Sequence, residues 1–388
     1  MPKNHYEAMK SVLWLKDHIG VTLLAMFILW ICSMAAMNLS FFNPVQRAIK
    51  NFSLSDVYYQ MMQQSGQAET SGLITIIDAT SYYDRGKIGE MMQQISQCNP
   101  AVVGVDCIYE GFRGDTLGSN LLAEGIFTLP NPIFAFKLNN YDEEKGEFTS
   151  TRHSFFTFVG DLTEGFSNIS YDSNGITVRN LVTQKIVNGD TLCSLPYQMA
   201  RAFTSDVEQF ASTEERIIDY TPTVFPVVPC DSILQNAALL KDRIVFIGAT
   251  HDDADMHFSP FGRIPGTVIQ AYILQTLLEH HKTHEVNFWL MLLISFAVIL
   301  LTDVMQTKLR RWGQGLKNPW LRLVFSSALT RNLINFIWIG FLLYINFLLF
   351  SLYDIYFNPT FMLVSIALLV EARLFYEAGK EAYKIHTS

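Results

Sequence analysis

Two short apolar runs each end in an aspartate: LITIID closes on Asp78 and AVVGVD on Asp106. A third run, RIVFIGAT from Arg243 to Thr250, opens into HDDADMH, which gathers His251, Asp252, Asp253, Asp255 and His257. Carboxylates beside imidazoles suit a divalent ion in a partly open site, and a metal-bound water is the one hydrolytic device that such residues offer. The plainer reading is preferred: Asp78 and Asp106 satisfy loop amides and cap the helices that follow, while HDDADMH is a solvated turn. The HExxH spacing is absent, as are the GxSxG, P-loop and GxGxxG signatures, so no catalytic residue is assigned. Ligand binding is assigned to Asp78, Asp106, Thr250, His251, Asp252 and Asp253. The candidates for a divalent metal are Asp78, Asp106, His251, Asp255 and His257, and the sequence requires no cofactor.

Such residues need a scaffold that brings them to one edge. The three runs read as strands buried on both faces. Asp84 to Gln97 is an amphipathic helix between the first two, so a right-handed crossover should leave those strands parallel and near one another. In open parallel sheets ligands bind beyond the carboxyl ends of the strands, where Asp78 and Asp106 stand. If the third strand joins the same sheet, its cluster converges on them, and Pro265 to His281 follows as a long helix. Elsewhere Pro132 to Leu138 and Ile176 to Val182 read as strands, Asn140 to Thr151 as a polar loop, and Leu195 to Phe203 as a helix. Three prolines in Thr221 to Pro229 restrict that stretch to an irregular or edge position. Pro44 to Gln64 has helical spacing, with Ser53 or Ser55 as a cap. The expected fold is an α/β domain over residues 43–285 with a mixed, partly parallel sheet.

The rest of the chain is of another kind. Of 388 residues 49% are hydrophobic and only 16% charged, against about a quarter in ordinary soluble domains, and the net charge is -8. The acidic total excludes a nucleic-acid partner, which basic patches would have to hold. The charge is split: +1 up to Phe42, -13 from Asn43 to Glu285, and +4 from Val286 onward. A spanning helix takes roughly 20 apolar residues. Residues 19–42, 286–304, 332–352 and 358–376 supply four. Lys3, Lys10 and Lys16 precede the first, and Met305 to Arg331 carries six bases and no acid. The positive-inside rule therefore puts residues 1–18, the loop 305–331 and the tail 377–388 in the cytoplasm and the acidic domain outside a bacterial inner membrane. A cleaved signal peptide is the alternative for the first span, but its apolar run is longer than such peptides use. Trp312, Trp320 and Leu323 among the bases of the inner loop suit a helix lying on anionic lipid. Asn346, Glu371 and Arg373 are costly in lipid and are expected to bond between helices. Cys98, Cys107, Cys193 and Cys230 fall outside the membrane and are read as buried free thiols, with one disulfide as the alternative.

Together, several blocks resemble the second type of CHASE domain, the extracellular sensory domain associated with cyclases and histidine kinases. They are LITIIDATS with NPAVVGVDCIYEG; FVGDLTEGFSNISYDSNGITVRNLV with Gly160, Asp161, Asn168, Gly175 and Arg179; and KDRIVFIGATHDDADMHFSPFGRIPGTVIQAYILQTLLE. Their order over nearly all of Asn43 to Glu285, with one span before and three after, matches that family's arrangement. The resemblance implies a receptor-like membrane protein sensing an unidentified signal. Family members commonly continue into an output domain, whereas this chain stops at Ser388, so the expected output acts through a partner. The expectation is thus a non-enzymatic sensory subunit touching lipid and protein partners, with a homo-oligomer open. The alternatives are a scaffold or anchor of an envelope complex and, less favoured, a metal-dependent periplasmic hydrolase.

Overall fold

The computed structural model describes residues 3–38, 53–66, 68–81, 84–111, 114–169, 176–281 and 283–387. The chain forms two compact units, one of Met1–Ser55 with Thr283–Ser388 and one of Asp56–Lys282. In chain order the first elements are helix α1 (Lys3–Asn38) of the first unit and α2 (Leu54–Gln64) leading into the second. The part of the expected helix from Pro44 up to residue 52 lies outside the described residues.

The second unit is built on a nine-stranded mixed sheet. It contains β1 (Ile74–Asp78), α3 (Arg85–Gln97), β2 (Val102–Val105), α4 (Thr116–Thr128), β3 (Pro132–Asp142), β4 (Glu147–Arg152) and β5 (Thr163–Phe166). Then come β6 (Gln184–Val187), β7 (Asp190–Cys193), α5 (Leu195–Phe203), β8 (Val227–Pro229), β9 (Ile244–Gly248), β10 (Met256–Ser259), β11 (Gly262–Pro265) and α6 (Gly266–Leu278). The spatial order is β8-β1-β9-β2-β3-β4-β6-β7, with β5 also on β3 and the β10–β11 hairpin apart. From β8 to β3 every pairing is parallel. The first two strands are therefore parallel, as expected, but not neighbours: β9 lies between them.

Strict alternation within strands divides the layers. Val103, Val105, Val245 and Ile247 face Met91, Met92, Ile95, Leu122 and Ile126 of α3 and α4 in one buried cluster. The intervening Gly104 and Gly248 face the other way, where added Cβ atoms would strike Met199 of α5 and Thr267 of α6. α3 and α4 approach closely because Gly89 and Gly125 oppose each other: a Cβ on either would meet the other helix's backbone. Asp84 caps α3, accepting from the Lys87 amide, and Asp115 caps α4 through Gly118.

Two expectations change. Asn140 to Thr151 is no loop but the tip and return strand of a hairpin, β3 to β4. Asp142 there accepts from the amides of Glu144 and Lys145 at 3.0 and 3.2 Å, and Gly146 takes φ +69°, so polar residues close the turn. Of the strand expected over Ile176 to Val182, only Thr177, bridged to Phe258, and Asn180–Leu181, paired with Arg216–Ile217, have ladder partners, because the segment pairs with these residues rather than in the main sheet. The proline-rich stretch does supply an edge, β8.

The first unit continues with α7 (Phe288–Gln314), α8 (Pro319–Ser326), α9 (Ala328–Tyr353), α10 (Thr360–Ala367) and α11 (Leu369–Thr387). Val12–Met34, Phe288–Gln314 and Leu329–Tyr353 are long and apolar enough to cross a membrane. Phe336 and Ile337 on α9 are 74% and 65% exposed, the outward apolar face that lipid requires. The fourth expected span is divided at Leu368 between α10 and α11. α7 also runs further than expected, taking in Lys308, Arg310 and Arg311. Val21 and Ala25 of α1, Ile299 of α7, Met362 and Ile366 of α10 and Leu369 of α11 share a buried cluster. Beside it, the Asp303 carboxylate is fully buried and held by Arg373, whose Nε donates at 2.8 Å, with His18 Nδ1 at 2.6 Å. Asn346 donates to the Phe357 carbonyl at 2.8 Å.

Candidate functional site

Because β1, β9 and β2 are parallel and in register, their carboxyl ends deliver Asp78, Gly248 to Thr250 and Asp106 along one edge. The Ala79 amide donates to the Gly248 carbonyl and the Asp106 amide to the Ile247 carbonyl, each at 2.9 Å, which extends the ladder past the last paired residues. From this edge the candidate residues separate into two groups.

Asp78 is held by the loop after β9 and by its own. Its Oδ1 accepts from the Thr80 amide at 3.1 Å, the Thr80 hydroxyl at 2.5 Å and the Thr250 amide at 3.2 Å. Its Oδ2 lies 3.0 Å from His251 Nδ1. Burial alone would raise this carboxyl, but the donors from Thr80 and Thr250 outweigh it and hold it at about 2. A carboxylate that is charged at neutral pH with its lone pairs engaged is a clasp between two loops. The His251 side chain is 76% exposed and leaves that clasp open to solvent.

Asp106 instead faces a cavity of about 200 Å³ lined by Lys137, Ser167, Asn168, Asp255, His257 and Gln270. β3 supplies Lys137, the end of β5 leads to Ser167 and Asn168, the β10 hairpin carries His257, and α6 opens at Gly266 and offers Gln270 one turn later. His257 Nε2 lies 3.3 Å from Asp255 Oδ1. Gln270 Nε2 donates to the Ser167 carbonyl at 3.0 Å, and Lys137 Nζ stands 3.5 Å from the same oxygen. Asn168 bonds both ways to the Leu138 backbone, at 2.7 and 2.9 Å. Burial pushes the Asp106 carboxyl up, with Lys137 opposing and Asp255 reinforcing that shift. The Ser167 hydroxyl is buried without a well-formed hydrogen bond, though near enough to Asp106 to favour its charged form. Both signs of charge therefore converge on one small cavity.

Asp252 caps its own turn, accepting from the Ala254 amide at 2.9 Å, and its neighbour Asp253 is exposed; neither lines the cavity. Thus Asp78, Thr250 and His251 make one group and Asp106, Asp255 and His257 another. Among the described residues no three or more of His, Cys, Asp and Glu are grouped as an ion would need. All five cysteines are free, and burial, with Asp106 or Asp78 close by, pushes Cys107 and Cys230 up to about 12. A larger groove of about 750 Å³ lies at the opposite, amino end of β1, between Glu69 to Ile74 and Gln275 to Glu279. It brings acids but no base, so it offers less to recognise.

The family model of the CHASE2 domain matches residues 21–304, most of the chain. The chain belongs to the CHASE2 domain family. No curated protein and no solved structure matches it significantly. CHASE2 is a family of extracellular sensory domains, and with three candidate membrane helices this is a membrane protein.

Several residues of this CHASE2 domain that carried the resemblance have structural work. Arg179 grips Asp56 of α2 with two hydrogen bonds, at 2.9 and 2.6 Å, and Asp161 ends a short helix at φ +49°. Gly175 lies outside the described residues. Sequence reasoning did not assign Lys137, Ser167 or Gln270 to a site. A signal existed for two of them: Lys137 is the lone charge in the strand PIFAFKL, and Gln270 the lone long polar residue in GTVIQAYIL. A polar side chain on an otherwise buried element must face a partner or a cavity.

Proposed function

We propose that the protein is an inner-membrane sensory subunit whose CHASE2 domain detects an extracytoplasmic signal and passes it to a separate protein. The supporting observation is the charged cavity at the head of α6. α6 begins at Gly266 on the cavity wall and carries Tyr272, whose ring packs at a tilt against Tyr220, 5.1 Å between centroids. Tyr220 in turn meets Tyr59 of α2 at 6.0 Å, and Arg179 fastens the same helix through Asp56. A signal that moves Gln270 therefore moves packed aromatic side chains on both helices that lead out of the domain. Dense packing transmits such shifts in discrete steps.

In this reading α10 and α11 together make the fourth crossing, with Arg373 turned to Asp303 rather than to lipid. The termini and the basic segment from Met305 to Arg331 then lie in the cytoplasm, as positive-inside orientation requires. Within that segment α8, whose Trp320 and Leu323 are 75% and 61% exposed, rests on the inner leaflet. No step of this function calls for catalysis.

The test is mild detergent extraction from native membranes with a tag after Ser388, followed by mass spectrometry of whatever co-purifies in near-equal amount. A stoichiometric partner is expected, and in cells carrying Asp106→Asn the partner should stay bound while its activity no longer changes with conditions. A chain that emerges alone would overturn the reading. So would a substitution that abolishes assembly, which is the behaviour of a scaffold.

A further inference from the structure

The cavity beside Asp106 has a composition that narrows what it can hold. Lys137 is its lysine, Asp106 and Asp255 its carboxylates, His257 its imidazole, and Ser167, Asn168 and Gln270 its neutral polar partners. Ser167 and Gln270 are each only 2% exposed, and the Ser167 hydroxyl, without a well-formed bond, lies beside Asp106. Burying such a group is costly unless something meets it. The volume of about 200 Å³ is the room of about seven waters at roughly 30 Å³ each, below the usual range of drug-sized sites.

Four ligand classes can be compared on charge. A simple anion would meet Lys137 but also two carboxylates. A metal ion would meet Lys137, and no three-ligand group awaits it among the described residues. An apolar molecule would strand every polar side chain in the wall. A molecule carrying both charges a few bonds apart satisfies both, through charge-assisted hydrogen bonds that are about twice as strong as neutral ones. We propose that this cavity binds a small zwitterion of the α-amino acid class, its carboxylate on Lys137 and its ammonium on Asp106 and Asp255. Ser167, Asn168 and Gln270 then complete the shell, and Gln270 carries occupancy into α6. The proposal deepens the sensory reading and rests on it.

The test is isothermal titration calorimetry of the purified full chain in detergent with each of the standard L-α-amino acids. Propionate and ethylamine serve as probes that carry one charge each. At least one amino acid should bind while neither fragment does. Lys137→Gln should weaken it at least about tenfold, the equivalent of one lost charged hydrogen bond, and Lys137→Arg should bind better than Lys137→Gln. The proposal is overturned if no amino acid binds the wild-type chain, if either fragment binds as tightly, or if Lys137→Gln binds unchanged. The wild-type comparison decides even if a variant fails to fold. A failure here removes the ligand class and leaves the sensory reading to its own test, the partner's response.

Discussion

At the scale of single residues, Asp78 and Asp106 show how one side-chain type at equivalent strand ends takes opposite environments. Asp78 is surrounded by donors and held at about 2, below its ordinary 3.8, whereas burial raises Asp106. The sign for Asp78 follows from linkage. Its folded-state value is depressed, so its contribution is fully present above about pH 4 and is lost as the pH falls toward 2. After solvent screening of a partly exposed group, that contribution is on the order of 1–2 kcal/mol. Asp78→Asn should therefore melt below the wild type at neutral pH, and the gap should close between pH 4 and pH 2. A gap that stays constant across that window would assign the effect to shape rather than charge.

At the scale of elements, α3 and α4 pack backbone to backbone through Gly89 and Gly125. An added methyl has nowhere to go, since the obstructing atoms are main-chain carbonyl and amide groups. Gly89→Ala and Gly125→Ala should each cost roughly 1–3 kcal/mol through overpacking, even though alanine favours helix. Gly72→Ala, with nothing within 4 Å of its new Cβ, is the matched control and should melt like the wild type. Equal melting of all three variants would show that the helices can part freely.

At the scale of the whole molecule, the first unit depends on a buried charge group that its sequence carries in three distant places. His18 on α1, Asp303 on α7 and Arg373 on α11 meet where lipid-exposed charge would be prohibitive. Arg373→Leu leaves the Asp303 carboxylate buried without its guanidinium and should destabilise the chain by about 3–5 kcal/mol. Arg373→Leu with Asp303→Leu removes both charges and should recover most of that loss in a detergent unfolding titration. If the double variant is no better than the single one, the pair is not what holds these helices. A fluorescent protein fused after Ser388 should mature in the cytoplasm if α10 and α11 complete a fourth crossing, and fail if they do not.

Much of this was written locally. Apolar runs ending in Asp78 and Asp106 were legible as parallel strands, and Arg243 to Thr250 as a third buried strand, because burial on both faces leaves no polar alternation. Uncharged stretches near 20 residues were legible as spans for the same reason, since lipid and core both exclude charge. Leu195 to Phe203 was legible from its spacing and matched to the residue. Pairing order was not, because β9 enters from far along the chain to sit between β1 and β2, where Gly104 and Gly248 let Met199 of α5 and Thr267 of α6 pack close. For the same reason the acidic and histidine cluster divided between Asp78 and Asp106. Lys137, Ser167 and Gln270 belong to three separate elements, and the Asp303 group to three helices. The sequence by itself determined the three buried strands at the sheet's centre, the acidic ends of two of them and three candidate spans, since those follow from neighbours along the chain. Which side chains share a cavity or a buried charge was decided by the tertiary structure, because such meetings depend on distances in space that no local pattern encodes.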